Sequence, residues 1–149
     1  MPRVRIRPLE PTDHEPLAQL DAALGGPVRL TRGAASFYAR TGHAFVAEDA
    51  DGPRGLALAQ AVWDGTRGTL RIARLGAVPP DAGTVRAALL EAVTKSAYDA
   101  AVYHLTIEAP DDDADLLGLL ERERWRTEPV RVLRRTLGSR GDGPSERAP

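Results

Sequence analysis

Residues 69–109 limit most tightly what this chain can fold into. "TLRIARLGAV" reads as a strand, "DAGTVRAALLEAVTKSAYDAA" as a long helix, and "VYHLTIEA" as a second strand. Strand, helix and strand in that order form a crossover, which lays the two strands parallel in one sheet. Val85, Leu89 and Val93 share one stripe of the helix, and Ala88 and Ala92 permit close packing. In the second strand Tyr103, Leu105 and Ile107 alternate with His104, Thr106 and Glu108. The first set is expected to face inward.

Upstream, "RVRIRPL" alternates as a half-buried strand, with Val4 and Ile6 opposite Arg3, Arg5 and Arg7. A helix follows, capped by Thr12 or Asp13, carrying Leu17, Leu20 and Leu24 and stopped at Gly25-Gly26. A second helix runs from a Thr31 cap to a Gly42 stop. "HAFVAED" and "GLALAQAVWDG" read as strands joined by a Gly/Pro turn, and "GTRG" turns the chain into the strand at Thr69. Downstream, "PDDDADLLGLLERE" is a capped helix and "WRTEPVRVLRRTL" a closing strand interrupted near Pro129. The order β-α-α-β-β-β-α-β-α-β(β) gives an α/β class with a mixed sheet of 6–7 strands and helices on both faces. Residues 1–137 form one domain, and residues 138–149 are expected to be a disordered tail.

Composition narrows the function. Hydrophobic residues make up 42% and charged residues 28%, an ordinary balance for a globular protein. The formal net charge is −1, which points to neither nucleic acid nor an anionic membrane. Lys95 is the only lysine among many arginines. There is no cysteine, which removes disulfides, thiolate zinc sites and thiol nucleophiles and suits a cytoplasmic location. No apolar run reaches the length of a membrane span, and the first residues lack the apolar core of a signal peptide. His14, His43 and His104 lack metal-site spacing, so no metal is expected. The run Asp111-Asp112-Asp113 with Asp115 lacks the glycine and final glutamate of a calcium loop and reads as helix capping. Arg140-Gly141-Asp142 falls in the expected tail and reads as accidental, while Phe45 and Trp63 read as packing.

The element order, the opening "VRIRPLEPTDHEPLAQL", the loop "LGAVPPDAGTVRAALLEA" and the late "LLERERWR" resemble the GNAT superfamily of N-acetyltransferases. The resemblance covers about residues 3–137 and fits an outlying branch. It implies acetyl-CoA as co-substrate, and an amine acceptor on a small molecule or peptide. The backbone of Leu75, Gly76 and Ala77 would hold the pantetheine arm as an added strand would. The amides of Gly83, Thr84, Val85 and Arg86, with the Thr84 hydroxyl, would face the pyrophosphate at a helix N-terminus. Pro79 and Gly83 match the family loop, whereas Ala82 stands at its basic position and Val85 at its next glycine. A valine there and an Asp81 cap both work against a bound pyrophosphate.

The same resemblance implies a carboxylate base and a tyrosine acid. Glu108, at the C-terminal end of its strand, is the candidate base, and Glu48 is a weaker one. Aligning Trp125 with the family's aromatic residue puts Leu120 at the tyrosine position. Tyr98 and Tyr103 are the nearest tyrosines, and Tyr103 is expected in the core. Arg71 and Arg74 face opposite ways on a regular strand and the same way across a bulge. Two readings result: an acetyl-CoA-dependent N-acyltransferase, or a catalytically inactive GNAT-like ligand-binding or interaction module. Either is a monomer or a homodimer, and a third reading is a purely structural subunit whose final strand pair makes a dimer.

Overall fold

The computed structural model describes residues 3–25, 29–63 and 65–138. Five strands form one mixed sheet: β1 (Arg5–Pro8), β2 (Phe45–Asp49), β3 (Gly52–Trp63), β4 (Gly68–Ala77) and β5 (Leu105–Ile107). Spatial order follows chain order. The first four strands are successively antiparallel, and β4 and β5 are parallel. The crossover between that last pair is α3 (Ala82–Asp99), as the strand–helix–strand order requires.

Alternation along β3 divides the core into two layers. Leu56 and Leu58 face α1 (Ala18–Leu24) and α2 (Arg32–Thr41), with Leu17, Leu20 and Ala35 packed in the same cluster. Ala57 and Ala59 face the other way, beneath Val85, Leu89 and Val93 of α3. Small side chains at 57 and 59 let the long helix settle close to the sheet. Leu116, Leu119 and Leu120 of α4 (Ala114–Arg122) complete that layer.

The second helix forms as its sequence predicts. Thr31 accepts from the Ala34 amide at 3.1 Å, and Gly42 ends the helix with φ 78°. The first does not begin at Thr12 or Asp13. Pro11–His14 is a separate 3-10 turn, and Asp13 is buried inside it. Asp13 receives both Nη1 and Nη2 of Arg7 at 2.8 Å and the Glu10 amide at 2.8 Å. The carboxylate thus joins the capping box of the 3-10 turn and pairs with a β1 arginine, and it does not cap α1. Burial alone would raise the Asp13 pKa, but these hydrogen bonds outweigh it and hold the carboxyl below its ordinary range.

Three other expectations are corrected. β5 pairs only over Leu105–Ile107, and Tyr103 precedes it with 65% of its surface exposed, resting edge-on against Tyr98. Alternation places Tyr103 inside, but the chain reaches the sheet two residues later. Trp63 is likewise exposed at the end of β3 rather than packed. No strand follows α4 among the described residues, so the sheet has five strands and not 6–7. Residues 126–138 are exposed throughout and carry no sheet pairing. The strand-like sequence there pairs with no edge of the sheet among the described residues, so its backbone groups gain no ladder hydrogen bonds from it. Of the expected tail, only Gly138 is described; Arg140-Gly141-Asp142 lies outside the described residues.

Candidate functional site

β4 and β5 stay paired over three positions, Leu70 to Leu105, Arg71 to Thr106 and Ile72 to Ile107. β4 then runs on to Ala77 with no strand beside it on that edge among the described residues. The split begins at an irregularity in β4. Leu58 of β3 stands opposite Arg74 and Ala59 opposite Ile72, which leaves Ala73 as an extra residue. Such a bulge bends its strand and interrupts its ladder. Here it falls where the parallel pairing stops, so the β4 edge over residues 73–77, called the wedge below, has no paired neighbour among the described residues. Leu75 and Ala77 turn their side chains into the α3 layer, so what they present to the wedge is backbone.

The bulge also settles the two arginines. Leu70 and Ile72 face α3, so Arg71 faces the opposite side of the sheet. Arg74 faces that side too, where it pairs with Asp21 of α1 and donates to the Gly25 carbonyl at 2.7 Å. Arg71 donates to Glu108 at 3.2 Å. Each arginine is therefore engaged with a carboxylate of the protein. Glu108 itself is half-exposed just past the end of β5, at the mouth of the wedge. Glu48, the other candidate base, accepts from Arg7 Nε at 3.1 Å and lies on β2.

The loop into α3 is fixed by Arg54, which donates to the carbonyls of Val78 at 3.2 Å and Pro80 at 2.8 Å. Asp81 follows with φ 63°, and its side chain does not cap the helix. The first amides of α3 are thus left without the side-chain acceptor expected from Asp81. Asp81 instead lines a separate depression of about 140 Å³ with Asp49, Asp51 and Arg54. Val85 is also corrected: its side chain is buried in the α3 layer and does not cover the helix mouth. Gly83 and Thr84 are exposed, and the position a Cβ would take on Gly83 is open space. The two features that argue against an anion at this turn are directed elsewhere.

Beside that turn lies a cleft of about 350 Å³ between α3 and α4, lined by Gly83, Arg86, Asp115, Gly118 and Arg122 among others. Arg86 donates to Asp113 at 3.0 Å, and Asp113 caps α4 by accepting from the Leu116 amide at 3.1 Å. The Arg86 Nε is buried without a partner. Arg122 is a residue that sequence reasoning misses. Its signal is present, since Gly118 lies one turn earlier on the same helix face and leaves room for a long cation. Two guanidinium groups and free helix-start amides can together hold a doubly charged phosphate ester.

The position at which the resemblance implies a tyrosine acid holds Leu120. Leu120 is buried in the α3 layer, and Trp125 donates its amide to the Leu120 carbonyl at 2.9 Å while packing on that layer. Tyr98 and Tyr103 form an exposed pair at the far end of α3. Among the described residues no group of His, Asp and Glu is placed to hold a metal, and no helix is long and apolar enough to cross a membrane.

Comparison with known proteins gives the same architecture. The crystal structure of wild-type TTHA1254 from Thermus thermophilus is 38% identical, covers 91% of this chain and 99% of its own, and superposes with a TM-score of 0.76. A ribosomal-protein-alanine N-acetyltransferase from Brucella melitensis biovar Abortus 2308 is 16% identical, over 89% of this chain and 99% of its own, with a TM-score of 0.70. The aminoglycoside N-acetyltransferase AAC(6')-Iy, solved with CoA, is 15% identical over 91% and 96%, also with a TM-score of 0.70. No curated protein matches the sequence. Residues 24–140 match the family model described as "Protein of unknown function (DUF1999)". The chain belongs to the DUF1999 family, and its fold is that of the GNAT acetyltransferases.

Proposed function

We propose that this protein is an acetyl-CoA-dependent N-acyltransferase acting on an amine of a small molecule or peptide. The observation that carries the reading is the pairing of an open β4 edge with an uncapped α3 start. The backbone of Leu75 to Ala77 would hold the pantetheine arm along β4. The amides of Gly83 and Thr84 would hold the pyrophosphate, with the Arg86 and Arg122 side chains as counter-charge. The Val85 amide expected beside them already donates to the Asp81 carbonyl at 3.0 Å, and Arg86 lies one residue deeper in the helix. The residues fit such a ligand: the Arg86 Nε is a buried donor without an acceptor, and Gly83 leaves the helix mouth clear.

Acetyl-CoA, when bound, supplies an activated acyl thioester. Glu108 takes the proton of the acceptor ammonium, directly or through one water, and its neighbour Arg71 holds it at the wedge. Leu120 supplies no proton, so the leaving thiolate draws its own from solvent. That predicts a slow enzyme rather than an inert one, because general acid catalysis contributes about 10²–10⁴-fold.

A second reading rests on the same residue. A buried leucine at the acid position, with Glu108 already ion-paired, suits a GNAT-like module that binds an acyl-CoA without turning it over. Thiol release from acetyl-CoA across a panel of amines separates the two. Amine-dependent release that falls at least about tenfold in Glu108→Gln supports the enzyme and its base. Binding of acetyl-CoA with no amine-dependent release supports the module.

A further inference from the structure

Arg71 and Glu108 flank the last paired row of the two parallel strands, Ile72 and Ile107. Leu105 and Ile107 pack on the α3 layer, so Thr106 and Glu108 face the opposite side of the sheet, as Arg71 does. Register sets Gln60 of β3 and Thr106 of β5 on either side of Arg71, in one row across that face. The row is a polar shelf that ends at the split. A ligand with its pyrophosphate at the α3 start and its pantetheine arm along Ala77 to Leu75 would carry its thioester toward Ala73, beside the shelf.

Charges of both signs meet on this shelf. Arg71 Nη2 donates to Glu108 Oε1 at 3.2 Å, and the two side chains are 45% and 51% exposed. Among the described residues the Arg71 side chain makes no other hydrogen bond. A guanidinium presents several N–H donors in a planar fork, so most of them remain open to a ligand. Arg74 faces the same side but is committed, paired with Asp21 and donating to the Gly25 carbonyl. Gln60 and Thr106 add hydrogen-bonding groups and no charge. The strands therefore bring to the split one available cation in contact with one available anion.

We propose that the acceptor is a free α-amino acid, whose carboxylate takes the open donors of Arg71 and whose ammonium lies against Glu108. An ammonium and a carboxylate on one carbon match two opposite charges in contact. Such a substrate sets anion on cation and cation on anion, and pairing of the fork with a carboxylate fixes its orientation. Other amines match less well. A peptide N-terminus has an amide where the carboxylate is needed. A polyamine sets further positive charge against Arg71, and like charges brought together suppress the wrong partner. The inference rests on the acyltransferase reading and narrows its amine to one class.

The test uses the full chain with acetyl-CoA, and the absence of cysteine keeps the protein from contributing to a thiol-release signal. The genetically encoded α-amino acids are offered as acceptors. Each one used is compared with its α-carboxamide, which keeps the shape and removes the charge, and with the amine lacking the carboxylate. For the best amino acid kcat/KM is expected to exceed that of its carboxamide by at least about tenfold, because a site built to pair a substrate group rejects the analogue without it. Arg71→Gln is expected to shrink that ratio to about threefold or less, and Arg71→Lys, which keeps the charge but not the fork, to leave an intermediate ratio. Both changes fall on a half-exposed side chain, which the fold tolerates. Carboxamides, plain amines or short peptides acetylated as fast as the amino acids overturn the inference and leave the acyltransferase reading standing. A ratio undiminished in Arg71→Gln overturns it by removing Arg71 as the reader of the carboxylate. No amine-dependent thiol release from any acceptor overturns both.

Discussion

At the residue scale, two side chains carry consequences that stability measurements can read. His43 is buried, with its Nδ1 2.9 Å from the Ser96 hydroxyl. Burial disfavours the charged ring and lowers its pKa from the ordinary 6.5. The unfolded chain therefore takes up the proton first as pH falls. The contribution of His43 is complete above about pH 6.5 and is progressively lost below it. Urea unfolding at about pH 7.5 and about pH 5 is expected to show lower stability at the acid value, and His43→Gln is expected to flatten that difference. Asp13, whose pKa is lowered from 3.8, titrates in a separate and more acid window. Arg124 sits at φ 65° just past α4, in the left-handed region that glycine occupies without strain. Arg124→Gly is expected to stabilise the fold by about 0.5–1 kcal/mol, raising the urea midpoint. The sequence shows an arginine where the GNAT pattern has a helix-ending glycine. It does not show the dihedral angle.

At the element scale, β4 and α3 meet through Gly55. A Cβ there would lie 2.7 Å from the Gly76 carbonyl oxygen and 3.0 Å from Val85 Cγ1. Gly55→Ala must push β4 and the first turn of α3 apart, at a cost of about 1–3 kcal/mol by overpacking. Acetyl-CoA binding is expected to weaken with it, measurable by calorimetry on the folded variant. The periodic elements are legible in the sequence: α3 from its stripe, β2 to β4 from alternation and turn residues, and α2 from Thr31 and Gly42. What is not legible depends on partners distant in the chain. Asp13 joins Arg7 rather than capping a helix, because β1 and the 3-10 turn lie side by side. Val85 looks like an obstruction in the sequence, which does not say which way the first turn of a helix is rotated. The bulge at Ala73 is only a condition at that level, since its cause is the register between β3 and β4. The residues of the closing segment favour a strand, and a strand also needs an edge to pair with.

At the scale of the molecule, the arrangement joins an opened parallel pair, an uncapped helix start and two arginines at one end of a GNAT-fold sheet. Leu120, where the resemblance implies a tyrosine acid, is a core residue, so the proposed binding and the proposed turnover are tested separately. Gly83→Asp isolates binding, because its side chain enters open space and an acid at a helix start is favourable to the fold. The variant is expected to match or exceed the parent in stability without ligand, while its carboxylate repels the pyrophosphate.

Thermal denaturation of the two proteins with and without saturating acetyl-CoA tests the central claim most directly. At about 100-fold over Kd a native-state ligand adds about 2.7 kcal/mol, which raises the midpoint of a chain this size by about 5–10 °C. The account predicts that rise for the parent and none for Gly83→Asp. An unchanged parent midpoint at millimolar acetyl-CoA, or an equal rise in both proteins, would contradict it.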